Sequence, residues 1–153
     1  MEKPRFAAEA HLGNLAKHLR FGGFDVLYDP RLTTGELRRR AEEERRILLS
    51  RSSRPGKGPH LRIHGETPRS MLTEVVAAFG LLRLYEPFSR CMRCNEILER
   101  VDTETARIKI PSGVAERFRE FRYCPNCGRI YWKGSHYERM IRLWEGRSDR
   151  ING

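Results

Sequence analysis

The sequence has no cysteine before position 91 and no apolar run near the roughly 18 residues needed to cross a bilayer. No membrane-spanning helix is therefore expected. Met1 to Ala10 lacks the apolar stretch of an export signal, and no cysteine is left over from two closely spaced pairs. A secreted disulfide framework is disfavoured on both counts, and the reducing cytoplasm is the expected compartment. A glycine-rich nucleotide loop is also missing, since Gly56-Lys-Gly58 lacks both the spacing and a following helix. No Ser-His-Asp arrangement points to nucleophilic hydrolysis. Acidic residues are the scarcer charge: 20 Asp and Glu stand against 30 Lys and Arg, a formal net charge of +10.

What is present fits two unequal lobes. The chain has 153 residues, 39% of them hydrophobic, enough for a core, but a lobe of about 60 residues needs a metal or disulfides to hold it. Dividing the chain after Pro87 leaves 16 basic and 11 acidic residues before the cut and 14 and 9 after it, so each part carries +5. Four cysteines ionised around a zinc ion would lower the total to about +8. A polyanion remains the natural partner, and nucleic acid is the commonest.

Apolar periodicity organises the first part. Phe6 to Ala8 reads as a short strand, and Leu12, Leu15, Ala16 and Leu19 form one face of a helix ended by Gly22 and Gly23. Phe24 to Tyr28 reads as a strand. Thr33 and Glu36 make a capping-box pattern for a charged helix to about Arg45. Ile47 to Leu49 is a buried strand, residues 51–60 a basic loop, and Leu61 to His64 a further strand. Thr67 and Pro68 open a helix whose core face is Met71, Leu72, Val75, Val76 and Phe79, closed by Gly80. Alternation of this kind predicts an α/β fold, a mostly parallel sheet with flanking helices.

From about Phe88 the texture changes to paired cysteines, a short alternating stretch at Arg107 to Ile110, a helical piece near Val114 to Glu120, and a strand at Gly128 to Trp132. Ser135 and Glu138 suggest a second capping box, opening a final helix with Tyr137, Met140, Ile141 and Trp144 on its apolar face. The tail after Gly146 is expected to fray. The expected division is 1–87 for the α/β domain and 88–153 for a small C-terminal module.

Cys91 and Cys94 form one Cys-x2-Cys pair, and Cys124 and Cys127 form the other, with 29 residues between the pairs. Two such turns can complete a tetrahedron around one ion, and a fourfold thiolate shell leaves no open position for water. Structural zinc fits best. Iron and reversible disulfides are the alternatives.

Several segments together resemble the Mut7-C ribonuclease family, a PIN-like domain joined to a zinc ribbon. They are Phe6-Ala-Ala-Glu9, His11 to Tyr28 (HLGNLAKHLRFGGFDVLY), Arg46 to Arg51 (RILLSR), Phe88 to Asn95 (FSRCMRCN), and Cys124 to His136 (CPNCGRIYWKGSH). The resemblance implies a PIN-like α/β/α fold and hydrolysis of RNA, with Mg or Mn held by acidic residues at the carboxyl ends of parallel strands. Carried over to this chain, Glu9 stands for the family's first aspartate. Asp25 falls in its Gly-Tyr-Asp-like stretch, and Glu36 is what remains of an acidic cluster before the second helix. Glu36 has a second reading as the capping-box residue. The chain departs from the family at Ser50-Arg51-Ser52, where a Thr-Arg-Asp is expected and the carboxylate is absent.

Basic residues offer phosphate contacts: Arg51, Arg54 and Lys57 in the loop, with Arg62 beyond it. In the ribbon, Arg129, Tyr131, Trp132, Lys133 and His136 combine cations with aromatic faces, a pairing suited to single-stranded RNA. Two functions follow. One is a metal-dependent ribonuclease binding RNA in a basic cleft between the lobes. The other is an RNA-binding or ribonucleoprotein adaptor that has lost its nuclease centre.

Overall fold

Phe6, Ala7 and Ala8 are all buried, as a strand covered on both faces requires. They form β1 (Phe6–Ala8) in the computed structural model, which describes residues 2–152 and the side chains of residues 2–146. A 3-10 turn, Ala10–Leu12, leads into α1 (Gly13–Phe21). Then come β2 (Val26–Leu27), α2 (Thr34–Glu43), β3 (Ile47–Ser50), β4 (His60–Arg62) and α3 (Pro68–Phe79). The four strands are parallel, in the order β2-β1-β3-β4.

Strand alternation sorts the core into two sides. Phe6, Ala8 and Leu49 join Leu15 and Leu19 of α1 and Leu72 and Val75 of α3. Ala7 and Leu48 instead meet Leu37 and Ala41 of α2. The sheet is thus sandwiched between helices, with the larger core on the α1 and α3 side.

Local chemistry fixes the helix ends. Glu36 N–H donates to Thr33 Oγ1 at 3.1 Å while Thr33 N–H donates to Glu36 Oε2 at 2.8 Å, a closed capping box. Thr67 and Ser70 cap α3 in the same way, Pro68 is its first residue, and Gly80 ends it in the left-handed region at φ 60°.

The C-terminal part contains β5 (Glu99–Val101), α4 (Thr103–Arg107), α5 (Val114–Arg117), β6 (Phe121–Tyr123) and β7 (Ile130–Tyr131), followed by α6 (Ser135–Asn152). The strands form an antiparallel sheet ordered β5-β6-β7. The alternating stretch at Arg107 to Ile110 is not extended. Asp102 accepts from Thr105 N–H at 2.7 Å and starts α4, which buries Ala106 and leaves Ile108 86% exposed. Ser135 is the first residue of α6 rather than its cap, because the Gly134 carbonyl accepts the Glu138 N–H at 3.0 Å. Backbone helix continues past Gly146 to Asn152, and the side chains there lie outside the described residues.

α6 packs back onto the α/β layer. Trp144 is fully buried, with ring centroids 6.0 Å from Phe24 and 4.6 Å from Tyr85, and donates from Nε1 to the His18 carbonyl at 3.1 Å. Gly22 makes room for it: a Cβ there would lie 2.4 Å from the indole.

Candidate functional site

Each cysteine pair builds the same turn. Asn95 N–H donates to the Cys91 carbonyl at 2.9 Å, and Gly128 N–H donates to the Cys124 carbonyl at 2.8 Å. Both closing residues have positive φ, 71° for Asn95 and 76° for Gly128, which explains why a turn-former follows each pair. The turns bring the four Sγ atoms within 4.8 Å of one another, with Cys91 and Cys127 3.9 Å apart. Zn–S bonds of about 2.3 Å at tetrahedral angles require S···S edges of about 3.8 Å. The quartet is positioned to hold one metal ion, and its all-sulfur donor set fits zinc.

Burial pushes Cys124 up to about 12. Burial acts the same way on Cys127, but the Arg129 N–H and hydrogen bonds from Cys94, Cys124 and Cys91 prevail and bring it down to about 7. Tyr131 packs against the quartet with its hydroxyl 3.0 Å from Cys91 Sγ.

The first cysteine turn is clamped to the edge of the parallel sheet. Asn95 Oδ1 accepts from Val26 N–H at 3.0 Å and its Nδ2 donates to Asp25 Oδ1 at 2.6 Å, so a side chain satisfies the outer edge of β2. Arg20, buried in α1, donates from Nη1 to the carbonyls of Met92 at 3.0 Å and Arg93 at 3.1 Å, and from Nη2 to Val26 at 2.8 Å. Arg46 Nη1 lies 2.8 Å from Asp25 Oδ1. Burial raises the Asp25 carboxyl, but the Arg46 and Asn95 hydrogen bonds win and hold it below its ordinary value.

These contacts separate two of the expected acids. Asp25 sits where β2 begins, its carbonyl accepting the Phe6 N–H at 2.9 Å. Glu9 follows the other end of β1, three residues and about 10 Å further along. Asp25 and Glu9 are not brought together.

At the carboxyl edge of the sheet, Glu9 is held by its N–H donating to the Leu49 carbonyl at 3.2 Å and is 7% exposed. Its carboxylate faces Arg38 of α2, with Nη2 3.0 Å from Oε1, and Arg38 Nη1 donates to the Arg54 carbonyl at 3.0 Å. Glu36 spends its carboxylate on the Thr33 N–H, the first cause of its lowered pKa. Ser52 N–H donates to Ser50 Oγ at 3.0 Å. Arg51 Nη2 donates to the Gly65 carbonyl at 2.7 Å and Arg62 Nε to the Arg51 carbonyl at 3.3 Å, pinning the loop to the end of β4. Lys57 lines a recess of about 410 Å³ with Arg38 and Arg39. Among the described residues, the cysteine quartet is the one group of three or more His, Cys, Asp or Glu arranged to hold an ion.

The ribbon residues divide. Arg129, Tyr131, Trp132 and His136 line one cavity of about 590 Å³ between the cysteine turns, α1 and the start of α6. Lys133 does not contribute to that lining; it pairs with Glu120 at 3.1 Å and lies over the Phe88 ring at 5.4 Å. Sequence reasoning missed Arg38 and Arg20, whose partners lie 29 and up to 73 positions away, and missed Lys17 and Arg93 across the cavity.

The chain matches the Mut7-C RNAse domain over residues 4–144. No curated protein and no solved structure matches it. The family match spans the parallel sheet, both cysteine turns and α6 as far as Trp144, so this chain belongs to the Mut7-C RNAse family.

Proposed function

We propose that this protein binds RNA, and that its sheet edge grips phosphates rather than cutting them. The observation that carries this reading is the Glu9–Arg38 ion pair. A PIN-like nuclease centre gathers carboxylates around a hard cation, which prefers an all-oxygen shell. Here a guanidinium already occupies Glu9, Ser50 and Ser52 flank Arg51 at the end of β3, and Glu36 serves its own helix cap. These residues do not fit a Mg or Mn centre, and no hydrolytic step follows from them. Arg54, Lys57 and Arg62 lie exposed beside them, offering phosphate contacts of the sort that dominate non-specific affinity for nucleic acids.

In this reading the cysteines hold a structural zinc in a ribbon. Residues 1–87 and 88–153 work as one RNA-binding unit, since Trp144 is fixed in the α/β core. A reducing cytoplasm suits four thiolate ligands. Ribonucleoprotein partners are compatible with the basic surface.

The second reading is metal-dependent RNA hydrolysis, favoured by the family and by the place of Glu9 after β1. Incubation with single-stranded RNA in Mn²⁺ or in EDTA separates the two. Salt-sensitive binding without cleavage is expected, and Mn²⁺-dependent cleavage lost in Glu9→Gln would overturn it.

A further inference from the structure

The cavity between the cysteine turns, α1 and α6 has a one-sided chemistry. Lys17, Arg90, Arg93 and Arg129 contribute to its lining together with His136, and among the described residues no Asp or Glu does. The side chains of Lys17, Arg93 and Arg129 make no ion pair or hydrogen bond among the described residues, so their charge is not spent internally. The rest of the wall is largely aromatic: Phe88, Tyr131, Trp132 and Tyr137 contribute to it, and Phe88 and Tyr137 meet edge to face at 5.8 Å. At about 590 Å³ it falls within the range of about 300–1,000 Å³ typical of small-ligand sites.

α6 adds donors to the same rim. Its first bonded amide is that of Glu138, which leaves the N–H groups of Ser135, His136 and Tyr137 without helical partners at the cavity. Trp132 lies beside this helix start, where a Cβ on Gly134 would come within 2.8 Å of Nε1.

We infer that this cavity is a nucleotide pocket, taking one unstacked base of single-stranded RNA against its aromatic wall and the adjoining phosphate among Lys17, Arg129 and His136. Every base has a π face, so stacking there is tolerant of sequence, and the cations act on the phosphate. The inference rests on the RNA-binding reading above and adds Lys17 and Arg93, on elements outside the ribbon strands, to its residues. A free nucleotide carries the same base and phosphate.

The test uses the metal-loaded 153-residue chain and two probes: a short labelled single-stranded RNA followed by anisotropy, and adenosine 5′-monophosphate followed by tryptophan emission. The chain has two tryptophans and Trp144 is fully buried, so quenching by the nucleotide reports Trp132. Trp132→Ala and the surface variant Lys17→Glu are each expected to weaken RNA binding about tenfold or more. If RNA binding is unchanged in both variants and the nucleotide quenches nothing, the pocket inference fails while the RNA reading stands. If RNA does not bind at all but the nucleotide quenches emission, and Lys17→Glu abolishes that quench, the pocket holds free nucleotides and the RNA reading fails. Silence from both probes overturns both.

Discussion

Arg38 reaches from the first turns of α2 to Glu9 at the end of β1, Nη2 3.0 Å from Oε1, and so places a cation against the one buried carboxylate of that sheet edge. The pair has a consequence for stability. Arg38→Met leaves the Glu9 carboxylate buried and unpaired, at an expected cost of about 1–3 kcal/mol in urea unfolding. The double variant with Glu9→Gln removes the charge as well and should recover most of the loss. Equal and additive losses in the two single variants would show that the pair is not coupled.

The Asp25 cluster predicts a pH dependence. The folded-state pKa of Asp25 is lowered, so its contribution is complete above the ordinary carboxylate value of about 3.9 and is lost as pH falls through the folded value. Unfolding measured from neutral pH downward should therefore show wild type more stable than Asp25→Asn at pH 7, with the gap closing in acid. A gap that does not change with pH would assign the loss to packing alone.

Removing the metal should loosen more than the ribbon. Cys91–Cys94 shapes the turn that gives Asn95 to Asp25 and Val26, and Arg20 the carbonyls of Met92 and Arg93. One zinc per chain is expected on metal analysis, and a chelator should lower the melting temperature and alter the near-ultraviolet signal of the buried aromatics. An unchanged melting curve in metal-free protein would contradict this.

Trp144→Ala should cost about 3–5 kcal/mol, the usual range for emptying a buried indole site. A loss near zero would mean that α6 is not part of the α/β core.

The order of strands and helices was readable because its signals are local. Thr33 with Glu36, Pro68 and Gly80 mark helix ends within a few residues, and the Cys-x2-Cys spacing announces the metal turns from either side. Arg107 to Ile110 misled because four alternating residues carry less weight than the Asp102 cap upstream. The site was less legible for a different reason. Glu9, Asp25 and Glu36 look alike in sequence, yet the strand direction sends Asp25 to the opposite edge and the capping box engages Glu36. Arg38 gave no signal among its neighbours Arg39 and Arg40, because only the phase of α2 aims it at Glu9.

Whether the protein grips RNA or cuts it is decided by incubating single-stranded RNA with the purified, zinc-loaded protein in Mn²⁺ and in EDTA, with binding and cleavage followed in the same samples. Equal, salt-sensitive binding in both and intact RNA throughout are expected. Cleavage that requires Mn²⁺ and disappears in Glu9→Gln would contradict the phosphate-gripping reading.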